Sequence, residues 1–200
     1  MAGRLHEWPA IFLFNRDVPT YTYALLTLGW LFWLMPFVMA QRRHTRAAGT
    51  LDLRARWGVI IQGISYALLW QNRFWLRPLK PWQPIASVVL FAVGITLAWS
   101  ATRALGKQWR VDAGLNADHE LVKSGPYRLL RHPVYASMFS VLLATGFLIT
   151  PWRLFLLAAL VFLTGTEIRV QIEDRLLASR FGENFEQYRR SRSAYVPFVR

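Results

Sequence analysis

The chain has no cysteine, four histidines, and only 11 acidic residues against 24 basic ones. Without thiols there are no disulfides, no zinc–thiolate sites and no cysteine nucleophile. The four histidines do not stand at metal-ligand spacing, so no metal is expected. No strand runs into a Gly-rich turn, which excludes a doubly wound dinucleotide-binding domain. The net charge of +13 comes without a recognition motif, so nucleic acid is not an expected partner. The first twenty residues hold one short apolar run, Ala10 to Phe14, interrupted before it by Pro9 and closed by Asn15-Arg16-Asp17. That run is too short for a signal-peptide core. With Trp8 and Phe12 it reads as an interfacial segment at headgroup level.

What the chain does have is apolar length. It is 54% hydrophobic and carries ten tryptophans in 200 residues. Crossing a hydrocarbon core of about 30 Å takes roughly 17 to 25 mostly uncharged residues. Five stretches qualify: Tyr21 to Ala40, Gly58 to Leu76, Pro84 to Thr102, the shorter Val134 to Thr150, and Trp152 to about Ile168. Gln62, Gln71 and Asn72 make the second polar in places. Only Thr150-Pro151 separates the last two, so they are expected to form a tight antiparallel hairpin. Segments 41–57, 103–133 and 169–200 hold eighteen of the 24 Lys and Arg. By the positive-inside bias, five spans then put the N-terminus outside and the C-terminus in the cytoplasm of a bacterial or archaeal inner membrane. The same charge attracts anionic membrane lipids.

The expected fold is therefore all-α, a single polytopic membrane domain over 1–200 with five transmembrane helices. After Arg169 the apolar positions Ile172, Leu176, Leu177 and Phe181 keep helical spacing, and Phe181-Gly182 reads as a helix stop. A cytosolic C-terminal helix should continue the fifth span. Its Leu176, Leu177 and Phe181 stripe reads as packing.

Ser124 to Tyr135, SGPYRLLRHPVY, concentrates polar chemistry at the start of an apolar run. Gly125-Pro126 makes a turn, Arg131 and His132 follow, and Pro133 suits the first turn of the next helix. Residues 105–110 read LGKQWR, 119–135 read HELVKSGPYRLLRHPVY, and 169–188 read RVQIEDRLLASRFGENFEQY. Together these blocks resemble the signature of integral-membrane methyltransferases, the family that includes isoprenylcysteine carboxyl methyltransferases and phospholipid N-methyltransferases. The pairing of RHPxY with an acidic pair about forty residues later is the specific part.

The resemblance implies an S-adenosylmethionine enzyme whose cofactor site is formed by the cytosolic loop 103–133 and the tail 169–200. Carried over by position, His119, Leu121, Val122, Gly125, Tyr127, His132, Tyr135 and Glu173 would line the cofactor. Arg131, Arg169 and Glu173 would be catalytic, the two arginines by forking an acceptor carboxylate. The acceptor would be a lipophilic small molecule or a lipidated substrate. It would be either an isoprenylcysteine-like carboxylate or a phospholipid amine, and for an amine His132 or Glu173 would have to take a proton. Two positions depart from the family pattern: Asp174 replaces a Glu, and Phe185 stands where a Tyr is common. Neither is expected to touch the catalytic or cofactor residues.

Other readings exist. A membrane reductase using NADPH has a comparable C-terminal layout, and a non-enzymatic membrane adaptor would need only the basic loops. Arg131 would then be a positive-inside anchor, and His132 a helix cap. Arg169 and Glu173 would form a surface pair worth a few tenths of a kcal/mol. Tyr127 and Tyr135 would belong to an aromatic belt.

Overall fold

The computed structural model describes residues 19–43, 49–51, 53–71, 78–110, 114–116 and 119–196. The N-terminal interfacial segment and the end of the second expected span lie outside them. Among the described residues, six α-helices carry the fold: α1 (Thr20–Arg43), α2 (Ala55–Leu69), α3 (Trp82–Leu105), α4 (Pro133–Ile149), α5 (Trp152–Phe181) and α6 (Glu183–Ser191). Among the described residues, Thr20–Arg42, Trp82–Gln108 and Trp152–Phe181 are long and apolar enough to cross a membrane. The described part of α2 has 15 residues and α4 has 17. At about 1.5 Å per residue both fall short of a 30 Å core. Five spans were expected, and three helices meet that length.

The bundle has the inverse of a soluble protein's polarity. Ile85, Leu31 and Leu160 are more than half exposed, whereas Gln62, Ser65, Ser87, Thr145 and Thr166 are buried. Hydrocarbon outside the bundle offers no hydrogen bonds, so polar side chains turn inward and find partners there. Ser87 Oγ donates to the Ala144 carbonyl at 2.8 Å, and Ser140 Oγ donates to the Leu90 carbonyl at 2.7 Å, joining α3 to α4. Gln62 Nε2 donates to Thr166 Oγ1 at 2.9 Å, joining α2 to α5. Trp30 and Trp33 of α1 donate to Thr145 and Ser137 of α4. Small residues set how closely the helices approach. A Cβ at Gly58 would stand 2.7 Å from the Gly165 carbonyl oxygen, so α2 and α5 meet nearly backbone to backbone. The α4–α5 connection is Thr150-Pro151, and the two helices meet through the rings of Phe147 with Phe155 and Phe139 with Phe162. Their tightest backbone packing is elsewhere: α4 lies along α3, and α5 along α2.

The all-α expectation needs one correction. Strands β1 (Gly49–Leu51) and β2 (Gly114–Asn116) form an antiparallel ribbon that pairs Thr50 with Leu115. Three-residue strands are too short to show an alternating pattern. The ribbon ties the α1–α2 connection to the α3–α4 connection. A parallel bridge between Leu130 and Ser193 ties the latter to the tail. The expected helix stop is present: Gly182 has φ 53°, and its N–H donates to the Ala178 carbonyl at 2.9 Å.

Candidate active site

The loop before α4 is held from both sides. Gly125 has φ 59°, a conformation that suits glycine, and starts a 3-10 turn from Gly125 to Arg128. The N–H groups of Arg131 and His132 donate to the carbonyls of Ser193 and Ala194 at 2.9 and 2.8 Å. Tyr188 of α6 donates its hydroxyl to the Tyr127 carbonyl at 2.6 Å. Tail and loop therefore fix the backbone that presents Arg131 and His132 to α5.

Beneath them is a cavity of about 460 Å³, within the range of small-molecule and cofactor sites. His119, Leu121 and Val122 line it from the loop. Tyr127, Arg131, His132 and Tyr135 line it from the turn and the start of α4, and Arg169 and Glu173 from α5. Gly125 does not line it; it is exposed and shapes the turn instead. Leu176 and Leu177, read as packing, also reach the cavity wall. The cavity continues between α1 and α2 past Trp33, Phe37, Val59 and Tyr66. One part of the lining is therefore polar and another apolar.

The two sequence blocks meet in one buried ion network. Arg131 Nη1 is 2.7 Å from Asp174 Oδ2, and His132 Nε2 is 2.8 Å from Asp174 Oδ1. His132 Nδ1 lies 3.4 Å from Glu173 Oε2. Glu173 Oε1 accepts from the Tyr135 hydroxyl and, at 3.3 Å, from Arg169 Nη2. Arg169 also sits 5.4 Å over the Tyr135 ring. Burial would by itself push the His132 imidazole down, but the hydrogen bonds to Asp174 and Glu173 and their charges outweigh it and raise the pKa to about 9. The Tyr127 phenol is raised well above its ordinary value, by burial first and then by the charge of Glu173. Tyr188 is pushed up to about 12, chiefly by burial.

These contacts decide against the plainer readings of the same residues. Arg131 is buried and paired, which an anchor in the headgroups would not be. His132 does occupy the N-cap position of α4, its carbonyl accepting from the Tyr135 and Ala136 N–H groups, but its side chain makes no cap bond and turns to the two carboxylates. Arg169 and Glu173 are not a surface pair, since the arginine side chain is only 9% accessible. Tyr127 and Tyr135 are buried rather than set in a belt.

The expectation that Asp174 stands apart from the key residues is wrong, because this carboxylate holds both Arg131 and His132. Phe185, the other departure, is fully buried, packs edge-on against Tyr188 and lines the cavity. Sequence reasoning also missed Tyr188 as the clamp on the loop and Gly58 as the gap for Arg169. The available signals were the adjacency of Asp174 to Glu173 and the place of Tyr188 at the end of the 169–188 block.

Comparison with known proteins identifies the family. A family model described as phospholipid methyltransferase matches residues 82–184, more than half of the chain. The chain belongs to the phospholipid methyltransferase family. The matched region runs from the start of α3 into α6 and contains every ionic residue of the network. The chain is also 36% identical over 84 residues to a protein-S-isoprenylcysteine O-methyltransferase of Schizosaccharomyces pombe, covering 42% of this chain and 36% of that protein. It is 27% identical over 146 residues to the nickel-cobalt-cadmium resistance protein NccN of Alcaligenes xylosoxydans xylosoxydans. It is 29% identical over 146 residues to the cobalt-zinc-cadmium resistance protein CzcN of Cupriavidus metallidurans. The last two matches each cover 70% of this chain and 62% of the relative. The chain thus spans less than two thirds of each of these relatives. Among the described residues, no group of three His, Cys, Asp or Glu is placed to hold a metal ion.

Proposed function

We propose that this phospholipid methyltransferase family member transfers a methyl group from S-adenosylmethionine to a lipophilic acceptor at the cytosolic face of a membrane. The observation that carries this reading is the contact of Arg131, His132 and Tyr135 with Arg169, Glu173 and Asp174 beside a cavity whose lining is polar around these residues and apolar around Trp33, Phe37, Val59 and Tyr66. In this reading α1 to α5 are five spans, α4 and α5 pair as a hairpin, and the loop 103–133 and tail 169–200 face the cytosol.

The lining suits the cofactor. Arg131 Nε and Trp109 Nε1 are buried on the cavity wall without a hydrogen-bond partner among the described residues, and buried donors of that kind call for a bound group. His119, Leu121, Val122, Tyr127, His132 and Tyr135 would hold the cofactor, and Glu173 would attract its cationic groups. When bound, S-adenosylmethionine supplies an electrophilic methyl on a sulfonium. The protein's part is then to aim the acceptor and exclude water, since a displacement that cancels two charges is favoured where water is absent. Arg131 and Arg169 would orient an acceptor carboxylate. Val59, Tyr66 and the α1 aromatics would receive its apolar portion.

The test is incubation of the purified protein in lipid with methyl-labelled cofactor and a lipid extract, read by mass spectrometry. A lipophilic acid that gains the mass of CH₂ supports the reading, and a phospholipid amine that gains it moves the acceptor to the other class. No labelled product, with NADPH binding in place of S-adenosylmethionine, would end it.

A further inference from the structure

The contacts between α3 and α4 keep one register along their length. Gln83 Nε2 donates to the Phe147 carbonyl at 3.0 Å, Ser87 Oγ donates to that of Ala144 at 2.8 Å, and Ser140 Oγ donates back to Leu90 at 2.7 Å. A Cβ at Gly94 would stand 3.1 Å from the Ser137 carbonyl oxygen. Each step forward on α3 is matched by an equal step back on α4, which brings Pro133 level with Ala98. Helix α3 runs on to Leu105. Arg131 and His132 therefore stand well short of the end of the neighbouring helix.

The far end of the bundle supplies the reference height. Trp82 and Trp152 are exposed at the starts of α3 and α5, and Arg153 lies 5.6 Å over the Trp152 ring. Exposed tryptophans at helix ends mark a membrane–water boundary. At about 1.5 Å per residue, a hydrocarbon core of about 30 Å begun at Trp82 ends near Thr102. The first charged residue of α3, Arg103, comes next. Ala98, and the network level with it, lies about 6 Å inside that limit. Tilting the helix moves the limit further along α3 and leaves the network deeper.

The side chains around the network fit that height. Leu129, in the turn leading to Arg131, is 74% exposed, and Trp57, in the first turn of α2, is 66% exposed. A Cβ at Gly125 would lie 3.3 Å from Ala104 Cβ, so Leu129 falls between the levels of Ala104 and Ala98. Thr150 Oγ1 donates to the Leu69 carbonyl at 2.9 Å, which sets the end of α2 at the far height and puts Trp57 about 18 Å in. Arg128 and Arg56 precede Leu129 and Trp57 in the chain. An arginine beside a large apolar residue suits the boundary between acyl chains and headgroups, where the guanidinium reaches outward. The charges of the network instead face the bundle interior and are paired, as charges at that depth are.

We propose that Leu129 to His132 and the start of α2 are immersed in the leaflet on the network's side, and that the site takes lipids whose reacting group adjoins the apolar chain. Such a lipid reacts in place, whereas a group carried into water on a polar spacer would have to be drawn down and stripped of its hydration. The acceptor half of this inference rests on the methyl-transfer reading and deepens it, for an acid and an amine alike. In either case the acceptor's lone pair takes the methyl and sulfur keeps the electron pair of the broken bond.

The chain has no cysteine, so single nitroxide labels can test the depth. Leu129→Cys and Trp57→Cys are compared with Val93→Cys at mid-bilayer and Arg190→Cys on the exposed side of α6, in vesicles of phosphatidylcholine and phosphatidylglycerol. Oxygen concentrates in the bilayer and a nickel chelate stays in water. Relative to nickel, oxygen should reach the Leu129 and Trp57 labels several-fold more than the Arg190 label, approaching the ratio at Val93. Nickel contact at Leu129 equal to that at Arg190 overturns the immersion, and Trp57 decides in the same way if the Leu129 variant does not fold. The second arm offers the unlabelled chain an acid and an amine lipid, each with its reacting group directly on the chain or beyond an amide spacer. The direct form should be methylated faster by about tenfold or more, the cost of burying an unpaired amide. Equal or faster transfer to the spaced form overturns the acceptor half while methyl transfer stands. Immersed labels with transfer to none of the four lipids end the methyl-transfer reading and the acceptor half together, and leave the depth.

Discussion

Asp174 holds Arg131 and His132 at the same time, one carboxylate oxygen to each, at 2.7 and 2.8 Å. Consecutive residues of a loop are thereby locked to one side chain of α5, forty-two and forty-three positions later in the chain. The tail carbonyls of Ser193 and Ala194 hold the same two residues by their backbone. This face of the loop is fixed through both main chain and side chain.

Asp174→Asn keeps the shape of this contact and removes its charge. Leaving a buried arginine without its anion costs about 3–5 kcal/mol. Thermal unfolding in lipid should show a large fall in Tm for Asp174→Asn and a smaller one for Asp174→Glu, which keeps the charge. Equal losses in both variants would assign the role to shape instead.

Stability should also depend on pH through His132. Its pKa is raised in the fold from the ordinary 6.5 to about 9. The stabilisation is therefore fully present below pH 6.5 and lost as pH rises through about 9, and it is on the order of 3 kcal/mol. The difference in Tm between the parent chain and His132→Gln should be largest on the acid side and shrink toward pH 9. A difference that grows with pH would contradict the sign.

Gly58 makes room for Arg169. A Cβ there would stand 2.4 Å from Arg169 Cγ and 2.7 Å from the Gly165 carbonyl oxygen. Gly58→Ala should cost about 1–3 kcal/mol through overpacking and displace the guanidinium from Glu173 and Tyr135. Gly63→Ala on the same helix meets nothing within 4 Å, so its Tm should stay near the parent's. Similar Tm values for the two variants would show that the α2–α5 contact is looser than this geometry.

If the acceptor is a carboxylate, Arg131→Lys should slow turnover far more than it weakens cofactor binding. Lysine keeps the charge but loses the planar fork that can serve Asp174 and an acceptor together. Single-turnover rates and equilibrium binding of S-adenosylmethionine, measured on one preparation, separate the two effects. Equal loss in both would make Arg131 a cofactor residue.

Helix type and approximate place were legible because the apolar runs are long and bounded by charge or proline. Gly182 and Pro133 mark helix boundaries by their backbone chemistry alone. Nine of the ten site residues that the family resemblance implies line the cavity, whereas Trp33, Phe37, Val59 and Tyr66 carried no signal for it in the sequence. The β1–β2 ribbon and the Leu130–Ser193 bridge were not, since three residues or one pair carry no periodic signal. Nor was the length of α2 and α4, because hydropathy marks which residues suit lipid but not where a helix ends.

Residue order alone decided that this chain builds apolar helices, places its basic residues between and after them, and presents Arg131-His132 ahead of a helix-starting proline. Those properties come from side-chain transfer energies and local backbone preference, which act over a few neighbouring positions. Only the folded bundle decided that Asp174 belongs to the network, that Gly125 does not line the cavity, and that His132 lies between two carboxylates. Each of these depends on the packing of α5 beside the loop and tail, and the distances so created, together with the exclusion of water, set the charge that the site carries.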